Sequence, residues 1–271
     1  MINLVDSFCI NKNHKSTKPL KCNNCQHNYS ENFCANCGQR AVANKRLQFS
    51  DIISDFFDNA FNIHKGLFFT FWNLIIKPGK VGNDYITGQR KKYTNPVRFL
   101  IIAIALQAFV DYWFIHPELT EQPDFINISF LSDSVNKSMA FWNHTLATQY
   151  ALIHNLTMIF IFPLVFIFLF KKLKYNFTEL IAASFYYFSA SLMIILLLLL
   201  TYSMFSDTTV PKAAIIIFTL SYITWTNMRF FKKVKFWKRL FKVLIALLIF
   251  MLVRVFLLVY LLSVLFPIEN S

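Results

Sequence analysis

Glycine, charge and cysteine are the scarce components of this chain. Five glycines occur in 271 residues, none after Gly88, so nothing beyond that point offers the glycine-broken helices on which many transport pathways are built. Asp, Glu, Lys and Arg make up 15% of the residues, against about 25% in soluble domains. That shortfall excludes an ordinary soluble fold for most of the chain. Catalytic fingerprints are missing too: no Walker A, G-x-S-x-G, H-E-x-x-H or dinucleotide-binding glycine pattern occurs. His64, His116 and His144 stand alone and read as surface or interface residues. Residues 1–19 are polar and lack the apolar core of a signal peptide, so the first membrane segment is expected to act as the targeting signal.

What fills the chain is apolar. Hydrophobic residues reach 56% and aromatics 18%, with 32 phenylalanines. The polar and cysteine content lies ahead of residues 95–96, and long apolar runs broken by basic clusters follow. A bilayer core about 30 Å thick takes roughly 20 apolar helical residues. Five stretches meet or approach that length: 97–115, 150–170, 180–205, 213–227 and 240–266. The expected fold is therefore an all-α polytopic membrane protein, with about five transmembrane helices in a domain spanning residues 97–271. Pro163 is the one proline well inside these stretches, and phenylalanine bulk suits lipid-facing packing better than close small-residue seams.

The net charge of +13 raises nucleic-acid binding as a question. Lys and Arg flank apolar segments here, which is how membrane proteins are oriented, so nucleic acid is set aside. Fourteen basic residues precede or open the first stretch, and the successive loops then hold 1, 3, 1 and 7, with Arg254 left inside the fifth stretch. Alternation of this kind places the N-terminus in the cytoplasm and the C-terminus outside.

Four of the five cysteines fall in two C-x-x-C pairs, Cys22 with Cys25 and Cys34 with Cys37, eight residues apart. Each pair can wrap a turn around a metal, and two pairs close a tetrahedral four-cysteine shell of the kind that holds structural Zn2+. Gly38 suits the positive φ of a knuckle turn. The short gap predicts a minimal double knuckle over residues 21–42 with at most a small hairpin, and residues 1–20 read as a flexible lead. A haem attachment would need histidine after the second cysteine, and Gln26 and Gly38 stand there. Disulfides do not fit the reducing cytosol. Cys9 lies outside the spacing, and His14 and His27 are not needed as ligands.

Residues 48–77 read as an amphipathic helix lying in the membrane interface. Ile52, Ile53, Phe56 and Phe57 share one face at helical spacing, Asp51, Asp55 and Asp58 the other, with Ser50 as the expected N-cap. The acidic face is expected to be solvated rather than a metal cluster. Phe68, Phe69, Phe71 and Trp72 lie in a run too short to span, so an interfacial helix is favoured over a re-entrant hairpin. Pro78 and Gly79 break the pattern. The basic juxtamembrane segment 78–96 follows, with Arg90, Lys91 and Lys92 expected against anionic headgroups and Pro96 opening the first span.

The order of Cys34-x-x-Cys37-Gly38-Gln39, an aromatic helix, Pro78-Gly79-Lys80, and then Tyr85, Gly88, Arg90, Tyr93 and Pro96 resembles an uncharacterised bacterial zinc-ribbon membrane family, domain of unknown function 3667. The resemblance covers about residues 20–115. It implies a zinc-ribbon protein of the inner membrane and implies no reaction.

Ionisable residues within spans are functional candidates by default. At about 1.5 Å per residue, Asp111 and Arg254 both fall roughly 20 Å deep from the inner side, with His154 and Asn155 near that level and Gln107 one turn below Asp111. They read first as an Arg–Asp pair that sets helix register, and otherwise as the lining of a proton or ion path.

Two functions follow from this reading. One is a non-enzymatic scaffold or adaptor whose zinc head and basic surface bind a cytosolic protein or anionic lipid, with self-association left open. The other is a transporter, channel or pore-forming effector that uses the midplane cluster. Mutating Asp111 and Arg254 against Cys34 separates the two, because only the second needs the former pair.

Overall fold

In a computed structural model of the chain, the described residues are 19–41, 45–58, 66–114, 129, 131–148, 151–205, 212–253 and 259–266. Side chains are described for these except 58, 111–114, 143–144, 147–148, 151–158, 202–205 and 212–213. The expected flexible lead, residues 1–20, thus lies outside them but for its last two.

Among the described residues the strands are a two-stranded hairpin of β1 (Leu20–Lys21) and β2 (Asn28–Tyr29), and the other main elements are helices. In order the helices are α1 (Phe49–Asp58), α2 (Gly66–Ile76), α3 (Lys80–Ile86), α4 (Pro96–Phe114), α5 (Asp133–Thr148), α6 (Ala151–Leu169), α7 (Phe177–Phe205), α8 (Lys212–Phe230), α9 (Phe236–Leu252) and α10 (Tyr260–Leu265). Helix occupies the described parts of all five apolar stretches, the last as α9 and α10 with 254–258 outside the described residues. Among the described residues one helix, Phe177–Thr201, is long and apolar enough to cross a membrane, with mean hydropathy 2.1. Gly66–Ile76, Pro96–Val110 and Ile159–Leu169 are shorter apolar helices.

Local chemistry sets where the helices start. Asn95 caps α4: its Oδ1 accepts from the N–H groups of Val97 (3.0 Å) and Arg98 (3.4 Å), with Pro96 in the first turn. Asn176 and Glu179 form a reciprocal capping box at α7, with the Glu179 N–H on Asn176 Oδ1 at 2.7 Å and the Asn176 N–H on Glu179 Oε2 at 2.8 Å. At α1 the expected Ser50 cap is corrected. The helix begins at Phe49, and Asp51 Oδ2 reaches back to accept the Gln48 N–H at 3.1 Å. Of the expected helix 48–77, α1 and α2 are described, and 59–65 between them lie outside the described residues.

Helix α7 is the central element, packed by α2, α3, α4, α6 and α8, while α9 packs on α6 and α8. The core where these meet is aromatic: Phe170 stacks on Phe231 at 3.9 Å, Phe162 meets Phe250 at 4.4 Å, and Tyr85, Tyr186 and Phe99 are fully buried. Burial of this much ring surface stabilises by area first and by ring geometry second. Residues 116–149, expected as a loop, contain α5. That helix buries Met139 and Leu146 against Val259, and Trp142 Nε1 donates to Phe266 O at 3.0 Å. The expectation failed because α5 interleaves polar and apolar residues, and its partner helix lies more than a hundred residues away.

Gly79 carries the approach of α3 to α8. Its φ is +77°, and a Cβ there would lie 2.4 Å from the backbone nitrogen of Phe230. Asn83 Nδ2 donates to Phe230 O at 3.1 Å beside it. The Pro78–Gly79 break is therefore a packing contact as well as a turn.

Candidate metal centre

Two turns of the same construction form the head. The Gln26 N–H donates to Cys22 O (2.8 Å) and the Cys22 N–H to His27 O (2.9 Å). The second turn repeats this with the Gly38 N–H on Cys34 O (2.7 Å) and the Cys34 N–H on Gln39 O (2.8 Å). Both turns need a left-handed residue at the fifth position, and Gln26 (φ 64°) and Gly38 (φ 68°) supply it. Gln26 does so without glycine's freedom, at a cost of about 1 kcal/mol. The first turn is closed by the β1–β2 hairpin, the second by the bridge between Phe33 and Arg40.

This arrangement brings the four thiols together. Every Sγ of Cys22, Cys25, Cys34 and Cys37 lies within 4.8 Å of the others, with Cys22–Cys37 at 3.6 Å and Cys25–Cys34 at 3.5 Å. A disulfide needs about 2.05 Å. A tetrahedron with metal–sulfur bonds of about 2.3 Å has edges of about 3.8 Å, so the donor set fits a four-coordinate metal ion. Cys22 and Cys34 are fully buried, while Cys25 and Cys37 are partly exposed. A hydrogen bond from the His27 backbone, with lesser help from Asn36 and the neighbouring thiols, lowers the Cys25 thiol to about 6. Burial pushes Cys37 up to about 12. Of these two thiols Cys25 ionises the more readily, and a bound cation would draw the proton from Cys37.

The head does not hang free. Gln39 is buried, and its side-chain amide clamps the turn that follows α3. Its Nε2 donates to Gly88 O at 2.7 Å, while its Oε1 accepts from the N–H groups of Arg90 (3.2 Å) and Lys91 (3.4 Å). From the first knuckle, Asn23 Nδ2 donates to Thr87 O at 3.2 Å. Gln39 stands at the position after Gly38 in the cysteine motif, yet its role was not legible, because its partners lie about fifty residues on. Replacing Gln39 by alanine is expected to take that partner from two buried groups, Gly88 O and the Arg90 N–H, at about 1–3 kcal/mol. Amide exchange over residues 87–91 should then rise roughly tenfold or more with the metal retained, which hydrogen-exchange mass spectrometry reads directly.

Arg90, expected at lipid headgroups, is placed elsewhere. It is 7% exposed, with its Nη1 3.2 Å from Asp51 Oδ2 on α1. The acidic face of α1 is corrected with it. Asp51 turns inward onto Arg90, and burial raises the carboxyl of Asp55 from its ordinary value against the pull of Arg90 and Arg40. A guanidinium this enclosed needs a counter-charge, and α1 provides one. Arg90 Nε and Nη2 and the Tyr85 hydroxyl have no hydrogen-bond partner among the described residues. Asp51→Asn is expected to strand the guanidinium and lower stability by about 3 kcal/mol. A thermal melt of the purified protein measures this, and an unchanged melting temperature would mean that Arg90 is neutralised by another group.

Further contacts bind the head and its linker to the helices. Arg46 pairs with Glu179 at 3.0 Å and donates to Lys174 O, Asn176 Nδ2 holds Leu47 O at 2.9 Å, and Asn95 Nδ2 holds Ile52 O at 2.8 Å. Lys91 is exposed, and Lys92 lies 3.5 Å from Asp84, whose Oδ2 also accepts from Tyr93 at 2.7 Å. Of the midplane candidates, Gln107 sits partly exposed on α4. Asp111, His154 and Asn155 are on described helices with their side chains outside the described set, and Arg254 lies outside it altogether.

Comparison with known proteins adds one match. A family model described as a protein of unknown function (DUF3667) matches residues 65–108, so the chain is similar to that family from α2 into α4. No curated protein and no solved structure matches the chain.

Proposed function

We infer that the chain is a multi-pass protein of the cell inner membrane, non-enzymatic, whose cytoplasmic head is folded around structural zinc and serves as a scaffold or adaptor. The observation that carries this reading is the closed cysteine shell docked through Gln39 onto the turn leading into α4. Four thiolates fill a tetrahedral metal, leave no position for substrate, and make the site a folding element. Zinc is the metal such a donor set favours in a structural site. The alternation of basic loops supports five spans with the N-terminus inside. Helix α2 adds to this: Phe68, Trp72 and Ile76 are exposed along a helix too short to span, which suits a segment resting in the interface.

Docking gives the head a mechanical role. Metal loading holds the knuckles, the knuckles hold residues 87–91, and these set the entry of α4. The outer side of the second knuckle, where Phe33 is half exposed beneath the Arg40 guanidinium at 5.8 Å, is left for a cytosolic partner. The test is fractionation with metal analysis. The chain should stay in the membrane pellet through alkaline carbonate, and detergent extraction should yield one zinc per chain. Release by carbonate removes the membrane reading; a folded, metal-free head removes the zinc reading.

A further inference from the structure

The corner between α8 and α9 holds an open groove of about 740 Å³. Its walls include Trp225, Phe236 and Leu240, and three cations line it: Arg229, Lys232 and Arg239. No carboxylate lines it, and none of the three is in an ion pair among the described residues. Arg239 lies with its guanidinium carbon 5.8 Å over the Phe236 ring, and its Nε has no hydrogen-bond partner among the described residues. Three other basic side chains are engaged: Arg90 with Asp51, Arg46 with Glu179, and Lys242 with Leu169 O and the Phe170 ring. Positive charge in this groove is thus left without a carboxylate among the described residues, on an apolar wall.

What leaves the groove is as informative as what lines it. Leu240, Leu244 and Leu248 repeat every fourth residue and form one ridge of α9, and the latter two are exposed. On α8, Trp225 and Ile217 are likewise exposed two turns apart. Because α8 and α9 pack together and are joined by a short turn, both ridges run away from the groove in the same direction.

We propose that this groove binds an anionic phospholipid, with the phosphate held by Arg229, Lys232 and Arg239 and the acyl chains laid along the two apolar ridges. Guanidinium groups suit phosphate oxygens through paired N–H donors, and basic side chains at a membrane surface select anionic headgroups. A free phosphate would satisfy the cations and leave the ridges bare, which is why the lipid is chosen. The proposal rests on the membrane reading above.

The test uses the full chain in mild non-ionic detergent, with native mass spectrometry reading lipid retention. Dioleoyl phosphatidylglycerol should be retained in preference to the phosphatidylcholine of the same chains. The double variant R229Q/K232Q, at two exposed positions, should bind phosphatidylglycerol roughly tenfold more weakly and lose the preference. R239Q should do the same, and circular dichroism establishes that each variant is folded. A preference that survives R229Q/K232Q overturns the site, as does complete displacement of the lipid by millimolar inorganic phosphate. Carbonate extraction of the same cells separates the two failures. A chain released by carbonate loses the membrane reading, whereas a retained chain with variant-insensitive lipid binding loses only the groove.

Discussion

Cys34→Ser is expected to unfold residues 20–41 while leaving the helices in place. The head has almost no core of its own: Cys22, Tyr29 and Cys34 are its buried apolar residues, with Leu20, Cys25, Cys37 and Ala41 packed around them. A segment this small cannot offset the entropy of ordering its backbone by burial. Metal binding must supply the difference, and in comparable small domains it is worth about 10–16 kcal/mol at neutral pH. Serine at position 34 removes one of four bonds and the buried sulfur at once. Docking through Gln39 and Asn23 adds only a few hydrogen bonds, each worth about 1 kcal/mol net, so it cannot hold the head unaided. Limited proteolysis should then cut within 20–41, the metal should be lost, and the far-UV helical signal should barely change. Wild-type metal content and protease resistance in this variant would mean that the four thiols do not hold the head.

Gly79→Ala is expected to be the most damaging single change outside the head. Two penalties coincide there. A φ of +77° costs an L-residue about 1–2 kcal/mol. The added methyl would also lie 2.4 Å from Phe230 N and 2.6 Å from Arg229 C, both backbone atoms that cannot swing aside. Relief requires α3 to move off α8, which breaks the Asn83–Phe230 hydrogen bond and disturbs the Phe230 contacts with Tyr175 and Tyr187. Overpacking of this kind adds about 1–3 kcal/mol. The total should exceed about 3 kcal/mol and appear as a large fall in melting temperature or in accumulated protein. Gly38→Ala makes a useful control, because its φ is +68° but a Cβ there meets nothing within 4 Å. It should show the conformational penalty alone. Equal effects at the two positions would contradict the close contact at Gly79.

The candidate metal site was legible in the sequence because a tetrahedral metal favours the C-x-x-C spacing. Helix positions were legible where apolar runs are long, and Pro96 marked the start of α4 correctly. What escaped depends on partners distant along the chain. Arg90 reads as one of three adjacent cations, and nothing local says that it turns inward to Asp51 while Lys91 stays at the surface. Gln39 reads as a motif residue without a task until the turn it clamps is folded beneath it. The acidic stripe of α1 shows the periodicity of a solvated face, and periodicity reveals a face without revealing what lies against it. Helix α5 was missed for a related reason, since its apolar residues serve α10, reached only after four further helices. The four-cysteine cluster was thus readable from spacing, and its attachment to the helices was not.

The attached, closed metal shell is the centre of this account, and X-ray absorption at the zinc edge on the detergent-extracted full chain tests it most directly. The predicted result is four sulfur scatterers at about 2.3 Å and no nitrogen or oxygen in the first shell. A shell containing nitrogen or oxygen, or fewer than four sulfurs in a protein with its head intact, would contradict a closed structural site.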